Sequence, residues 1–180
     1  MIFRRRHLQA LAVAALQRAG TLAGEKVFPA RTWPTMGADL PALLVHVPRD
    51  EKQSLGRGAP QFDTAMHLMV IGRVQAARSQ VEADIERLAE QIEDAILTDR
   101  ELIAELQQVL GVQVEVTVTS EAKQHVGEAA LTFTCEVFQC WEPPPGEPLE
   151  RLTVEFDISE PADGRADTAL QIDLPASTAP

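Results

Sequence analysis

The sequence predicts an α+β fold, in which a mixed or antiparallel sheet of about four to five strands is packed by two main helices. Three observations predict it: apolar residues recur at helical spacing in 6–19 and 78–97, strand alternation occupies 62–71, 112–119 and 129–140, and the run 42–47 is almost wholly apolar. The 180 residues suit one domain with a small addition. We therefore expect a core domain over 1–142 and a C-terminal extension over 143–180.

The first helix is predicted over 6–19, because Leu8, Leu11 and Ala15 recur on one side and Gly20 suits a left-handed helix end. The arginines Arg4 to Arg6 before an apolar run also resemble a signal peptide. Gln9 and Gln17 interrupt that run, which favours an amphipathic helix. A short strand at Lys26–Phe28 should follow.

The segment 31–39 is predicted to be a loop, and 42–47 a strand inside the sheet, since both of its faces are apolar except at His46. The segment 48–60 contains Pro48, Gly56, Gly58 and Pro60 and many charges, which predicts a 13-residue loop. Loops of this length are usually functional or disordered.

The most regular pattern is the helix over 78–97. Its apolar stripe consists of Val81, Ile85, Leu88, Ile92 and Ile96, with acids on the other faces. Ser79 and Glu82 suggest an N-terminal capping box. A second short helix is predicted over 102–110, ended by Gly111, and then two alternating strands over 112–119 and 129–140.

The composition changes after Trp141. Four prolines between 143 and 148 predict a stiff extended linker. Alternating residues over 152–158 and 170–174 predict a β-hairpin, which is marginally stable in isolation and needs the edge of a sheet, its own or a neighbour's.

Charge is unevenly distributed along this acidic chain, whose net charge is −11. Residues 1–31 carry six basic residues against one acid, residues 78–105 nine acids against three arginines, and residues from 142 onward nine acids against two arginines. Opposite charges on separate parts of one chain allow head-to-tail pairing of copies, although they also suit solvated surfaces. The acidic balance disfavours direct nucleic-acid binding, and no apolar run reaches the roughly 18 residues of a membrane span.

No catalytic or metal-binding motif was found in the sequence. The four histidines lack metal-ligand spacing, although His46 and His67 could face each other on adjacent strands. Glu90, Glu93 and Asp94 are better explained as a solvated helix face than as a carboxylate site. Cys135 and Cys140 should point to opposite faces of one strand, which prevents a disulfide between them. Trp141, at a strand end, is equally compatible with an interface and with a core position.

In the order of its parts, the chain resembles the tail terminator family of long-tailed phages and prophages (minor tail protein U type). The resemblance covers about residues 4–140. The matching pieces are the arginine-rich first helix ending in Ala19-Gly20-Thr21-Leu22-Ala23-Gly24, the strand start Val27-Phe28, the segment Leu40-Pro41-Ala42-Leu43-Leu44-Val45, the strand 62–71, the acidic helix Val81 to Leu97 with Thr98-Asp99, and the closing strand Gly127 to Phe138. The extension after 142 has no counterpart in the resemblance.

The resemblance implies a structural protein without catalysis or cofactor, which forms a six-fold ring on the last ring of tail-tube protein. Such a ring stops tube growth and presents a surface to a head-completion protein. By analogy, the resemblance makes the strand edges and the 48–60 loop candidates for contacts between subunits or with the tube. The candidate interface residues of that loop are Arg49, Asp50, Lys52 and Arg57. The implied partners are further copies of the chain, the tube protein and the head-completion or connector protein. The chain could be monomeric before it meets a tail. The implied locations are the host cytoplasm during assembly and the head-proximal end of the tail in the virion.

The charge distribution suggests one way to close such a ring. Arg4, Arg5 and Arg6 of one copy would pair with acids of the long helix in the next. The candidate acids are Glu82, Glu86 and Glu90, together with Glu93. Two other classes stay open: another head-tail connector or tail-completion protein, and a small-molecule-binding α+β domain whose site is scattered along the sequence.

Overall fold

The computed structural model describes residues 3–29, 39–121, 124–142, 151–156 and 168–173. The chain divides into two compact units, Met1–Glu142 and Pro143–Pro180. The elements of the first unit are α1 (Arg5–Ala19), β1 (Val27–Pro29), β2 (Ala42–Ser54), β3 (Gln61–Ala76), α2 (Val81–Thr98), α3 (Arg100–Ala104), β4 (Gln108–Glu121) and β5 (Gln124–Cys140). Those of the second unit are β6 (Arg151–Phe156) and β7 (Thr168–Asp173). The predicted α+β fold class is confirmed.

The five strands of the first unit form one sheet in the order β1-β2-β3-β5-β4. β1 runs parallel to β2 and the other neighbours are antiparallel, so the sheet is mixed. β2 lies inside the sheet, between β1 and β3, as its apolar first half predicted. β4 and the three-residue β1 are the two edges.

The hydrophobic core lies between one face of the sheet and the helices α1 and α2. The predicted stripe of α2 is confirmed, because Val81, Ile85, Leu88, Ile92 and Ile96 are all buried. They pack against alternate residues of β3 and β5, such as Leu68, Val70, Leu131 and Phe133. The opposite face of the sheet carries half-buried residues such as Leu44, Met69 and Ile71.

Two glycines let α2 approach the sheet closely. A Cβ atom on Gly127 would lie 2.9 Å from the Cβ of Ile85, and one on Gly72 would lie 2.9 Å from Cδ2 of Leu88. Any larger residue at Gly127 would push directly against the helix near its backbone, where a side-chain rotation gives no relief.

The predicted loop over 48–60 is wrong for most of its length. β2 continues to Ser54 and pairs with β3 up to Ser54 and Phe62, so that only residues 55–60 connect the strands. Pro48 sits where the pairing register shifts between His46 and Arg49, and such a bulge tolerates a residue without an N–H donor. Of the charged residues that suggested a loop, Arg49, Asp50, Glu51 and Lys52 lie on the outer half of β2, whereas Arg57 lies in the turn that follows.

Two predictions around the helices also need correction. Gln80, not Ser79, precedes α2, and it makes no side-chain capping hydrogen bond. The helix predicted over 102–110 is limited to the five residues of α3, because β4 already begins at Gln108 and takes a register shift between Val109 and Gly111. The predicted loop 31–39 lies outside the described residues except for Asp39. The proline-rich linker lies wholly outside them.

The second unit contains the predicted hairpin. β6 and β7 pair antiparallel, with Leu152 opposite Ile172 and Val154 opposite Leu170. Arg151 and Asp173 form an ion pair of 2.8 Å at the open end of the ribbon.

The buried stripe of α2 leads to a stability prediction. Leu88→Ala should lower the free energy of unfolding by about 2–5 kcal/mol, because it removes a fully buried side chain packed over Gly72. The matched control is Leu97→Ala on the same helix, whose side chain is exposed and whose loss should cost less than about 1 kcal/mol. Chemical denaturation measures both, and equal effects would contradict the packing described here.

Candidate functional site

Six of the predicted interface residues meet at one end of the domain. Arg4 immediately precedes α1 and Arg5 and Arg6 begin it, while Asp50 and Lys52 lie on β2 and Trp141 follows β5. They line a cleft of about 310 Å³, completed by Met66 and Gln139, which we call the basic cleft. The sequence does not place these segments together. The folding of α1 back along β2 brings them into contact.

Buried polar contacts hold the start of α1 against the sheet. The Thr64 hydroxyl donates to Oε1 of Gln139 at 3.0 Å, and Nε2 of Gln139 donates to the carbonyl of Phe3. One turn into α1, Nε2 of Gln9 donates to the carbonyl of Val45 at 2.7 Å. Because Thr64 and Gln139 are buried, losing either partner would leave an unpaired polar group in the core.

The basic cleft carries more positive than negative charge. Four cationic side chains face one carboxylate, that of Asp50. Asp50 accepts a hydrogen bond from Nζ of Lys52 and lies 3.6 Å from Nε of Arg5. The hydrogen bond from Lys52 is the largest influence on the pKa of Asp50 and lowers it, and the charges of Lys52 and Arg5 lower it further. Asp50 therefore stays ionised and offsets only part of the positive charge.

Trp141 gives the cleft an apolar side. Its ring stacks edge-on against Phe62, with 5.6 Å between centroids and 85° between planes. Its backbone N–H donates to the carbonyl of Pro60 at 2.9 Å, which fixes it to the turn of the β2–β3 hairpin. A half-buried tryptophan beside arginines is a combination that is enriched where proteins meet.

The predicted acidic residues lie elsewhere. Glu82, Glu86 and Glu90 are exposed on the side of α2 that faces away from the core. Glu82 borders a second cleft of about 460 Å³, which we call the far cleft. Its other lining residues are Arg78, Val81, Val118 and His125.

The two clefts are at opposite ends of the sheet. Met66 lines the basic cleft, whereas Ala76, ten residues further along β3, pairs with His125 of the far cleft. At about 3.3 Å per residue, these points are about 33 Å apart. That is about three Debye lengths at 0.1 M salt, so the arginines and Glu82 of one molecule barely sense each other.

Arg49 and Arg57 do not belong to the basic cleft. Arg49 lies on the opposite face of the sheet, where it forms an ion pair with Glu51 and is paired across the strands with His67. Arg57 is exposed in the turn between β2 and β3. His46 is opposite Met69, so the two histidines are on the same face but are not directly opposite each other.

A further contact, missed from the sequence, joins the other end of α1 to α2. The Arg18 guanidinium binds both carboxylate oxygens of Asp99, at 2.7 to 3.1 Å. Asp99 also caps α3 by accepting from the backbone N–H of Leu102. Burial would raise the pKa of Asp99, but the hydrogen bond from Leu102 and the pairing with Arg18 lower it overall. Such a contact between residues 81 positions apart leaves no local signal in the sequence.

Other reactive groups are few in the part of the chain that the structure describes. No group of three or more His, Cys, Asp and Glu residues is arranged there to hold a metal ion. Burial raises the pKa of the Cys135 thiol to about 12, so this thiol stays protonated. Among these residues, no helix combines the length and apolar character needed to cross a membrane.

No protein-family model matches the sequence, and no curated protein matches it. Among solved structures, the chain is similar to a chain of the virion of a native gene transfer agent (GTA) particle. The identity is 17%, the TM-score is 0.40, and the match covers 72% of this chain and 94% of that chain. We assign no family from a similarity of this size.

The pKa of Asp50 leads to a prediction about pH. Because its pKa is lower in the folded state, its carboxylate stabilises the fold above the unfolded pKa of about 3.9, and this contribution is lost as the pH falls through the folded pKa. Asp50→Asn should therefore lower the free energy of unfolding at pH 7, and the difference from the unmodified chain should shrink towards pH 3. Denaturant titrations at both pH values measure it. A constant difference would contradict the assignment, and Glu86→Gln on the exposed side of α2 serves as control.

Proposed function

We propose that this protein is a structural assembly protein of a phage or prophage tail, a tail terminator that caps the tail tube as a hexameric ring. The ring stops tube polymerisation and forms the surface for head-tail joining, and the protein acts without catalysis or a cofactor. Its partners are further copies of itself, the tail-tube protein and a head-completion or connector protein.

The order of sequence elements is the first support for this proposal. The pieces that resemble the terminator family lie in the described α+β unit as an N-terminal arginine-rich helix, a central sheet and an acidic helix. An α+β sheet packed by helices is also what that resemblance implies.

The separation of charge is the observation that carries the proposal. The basic cleft is at one end of the sheet, and Glu82 of the acidic face is at the other, about 33 Å away. Two unlike surfaces at opposite ends of one molecule favour head-to-tail contacts, and such heterologous contacts close into rings when the rotation between copies permits. Opposite potentials also speed the encounter of copies and suppress wrong orientations.

One observation favours a second candidate. The basic cleft has a volume of about 310 Å³, within the range of small-ligand pockets, and combines cations with an aromatic wall. These features would suit a small anionic molecule. A different head-tail connector of similar shape is a further alternative, distinguished by the symmetry of its oligomer and by the partner it binds.

The first experiment is to measure the mass of the protein by light scattering, alone and with purified tail-tube protein, with negative-stain images of any large species. We expect a six-fold ring, either free in solution or formed at tube ends, and tubes that no longer lengthen once it has bound. A protein that stays monomeric and does not affect tube growth contradicts the proposal.

Charge reversal tests how the ring closes. Changing Arg4, Arg5 and Arg6 together to Glu should weaken assembly, most clearly at low salt where charges are least screened. Changing Glu82, Glu86 and Glu90 to Arg in the same chain should restore it, because the two ends become complementary again. Arg49→Glu, on the other face of the sheet, is the control. A ring that forms equally well with the arginines reversed contradicts this closure.

A further inference from the structure

The cations of the basic cleft differ in whether they have a counter-ion in the chain. The carboxylate of Asp50 accepts a hydrogen bond from Nζ of Lys52 and lies 3.6 Å from Nε of Arg5. Arg4 and Arg6 line the same cleft and are exposed, and within the described residues their side chains form no ion pair or hydrogen bond. These two arginines are therefore the cations that can bind an incoming anion without giving up an existing contact.

The two unpaired arginines also lie at an unfavourable end of α1. The first turn of α1 contains no acid, and Arg4 at the N-cap makes no side-chain capping hydrogen bond. The N-terminus of a helix carries a partial positive charge, so arginines there are repelled by the helix and by each other. A carboxylate bound in the basic cleft would relieve this repulsion, because Arg4 and Arg6 both line the cleft.

The matching anions are exposed acids of α2. Glu82, Glu86, Glu90 and Asp94 follow each other at intervals of four residues, so they form one row along the helix with about 6 Å between neighbours. We call them the acidic row. Like charges at this spacing destabilise a helix, and within the described residues none of the four forms an ion pair. Since no contact joins the row to the basic cleft of its own molecule, a second copy must supply the pairing.

We propose that the basic cleft binds the acidic row of a second copy, that Arg4 and Arg6 are the donors to its carboxylates, and that Asp50 is a built-in competitor that weakens this contact. Asp50 holds Arg5 and Lys52 and places a negative charge in the cleft that the incoming carboxylates must enter. Its removal should strengthen self-association even though it weakens the fold. The inference rests on the proposed self-assembly and names the residues that set its strength.

A built-in competitor gives the contact a use in assembly. Pairs of exposed charges contribute little individually, so a contact weakened by Asp50 keeps free copies mostly apart. Copies held side by side on a tube end have a much higher effective concentration, and the same weak contact then closes the ring. Asp50 thus favours ring formation at the tube over ring formation in solution.

Asp50→Asn and Glu51→Gln make a matched pair of full-length variants. Each removes one negative charge from neighbouring positions of β2, but Glu51 lies on the opposite face of the sheet, beside Arg49. A third variant carries Arg4→Gln and Arg6→Gln, two exposed positions whose change should leave the fold intact. Light scattering over a concentration series at low salt measures the self-association of each variant.

Asp50→Asn should associate about 3- to 5-fold more tightly than the unmodified chain, the effect of about one exposed charge pair. Glu51→Gln should associate like the unmodified chain, and the double arginine variant at least about 5-fold more weakly. Added to the arginine changes, Asp50→Asn should gain less, because its effect depends on the anion that those arginines bind. Equal association of Asp50→Asn and Glu51→Gln would overturn the role of Asp50, and normal association of the arginine variant would overturn the assigned donors.

Hexaglutamate tests the cleft without self-assembly. The chain has two tryptophans, so in a Trp33→Phe background the emission of Trp141 reports on the cleft that it lines. Hexaglutamate should bind more tightly after Asp50→Asn and much more weakly after the changes of Arg4 and Arg6. Binding that is absent, or that does not follow this order, would overturn the carboxylate site.

The inference and the terminator function can fail separately. A chain that binds hexaglutamate in the expected order and self-associates, but leaves tube growth unchanged, supports the contact and overturns the terminator function. Rings that stop tube growth and respond neither to Asp50→Asn nor to the arginine changes support the function and overturn the inference.

Discussion

The close packing of α2 on two glycines determines how the helix layer lies on the sheet. Gly72 and Gly127 leave space on β3 and β5 into which Leu88 and Ile85 fit, and this contact turns the opposite, acidic side of the helix to solvent. α1 then lies beside α2 and over β2. Its position brings Arg4 to Arg6 to the end of the sheet away from Glu82. The charge polarity of the domain thus follows from its apolar packing.

The packing also explains why one edge of the sheet stays open. The helix layer covers β2, β3 and β5 but leaves Val114 and Val118 of β4 partly exposed. A valine that is nearly half exposed contributes only part of the roughly 1.5–3 kcal/mol that full burial provides. The hairpin has the same deficit, because Leu152, Phe156, Leu170 and Ile172 are 40 to 52% exposed. Burial against a partner would stabilise either surface.

Local periodicity predicted the elements that bury one continuous face. It did not predict the features that depend on contacts between residues far apart in the sequence. The stripe of α2 and the alternation in β3 and β5 are visible because each buries one face continuously. The second half of β2 does not read as a strand in the sequence, because it carries charges on both faces and lies on a hairpin that projects beyond β1. The basic cleft could be predicted only in its parts. Met66 and Gln139 join it through strand register, which no short window of sequence contains.

The proposed ring contact acts mainly while the copies approach one another. Attraction between the arginine end and the acidic side of α2 extends over about 8 Å in physiological salt, so it orients copies before they touch. Salt would therefore change mainly the rate of association, whereas contacts that bury apolar side chains decide how long an assembly lasts. Misoriented copies would be rejected quickly, because their like charges would then face each other.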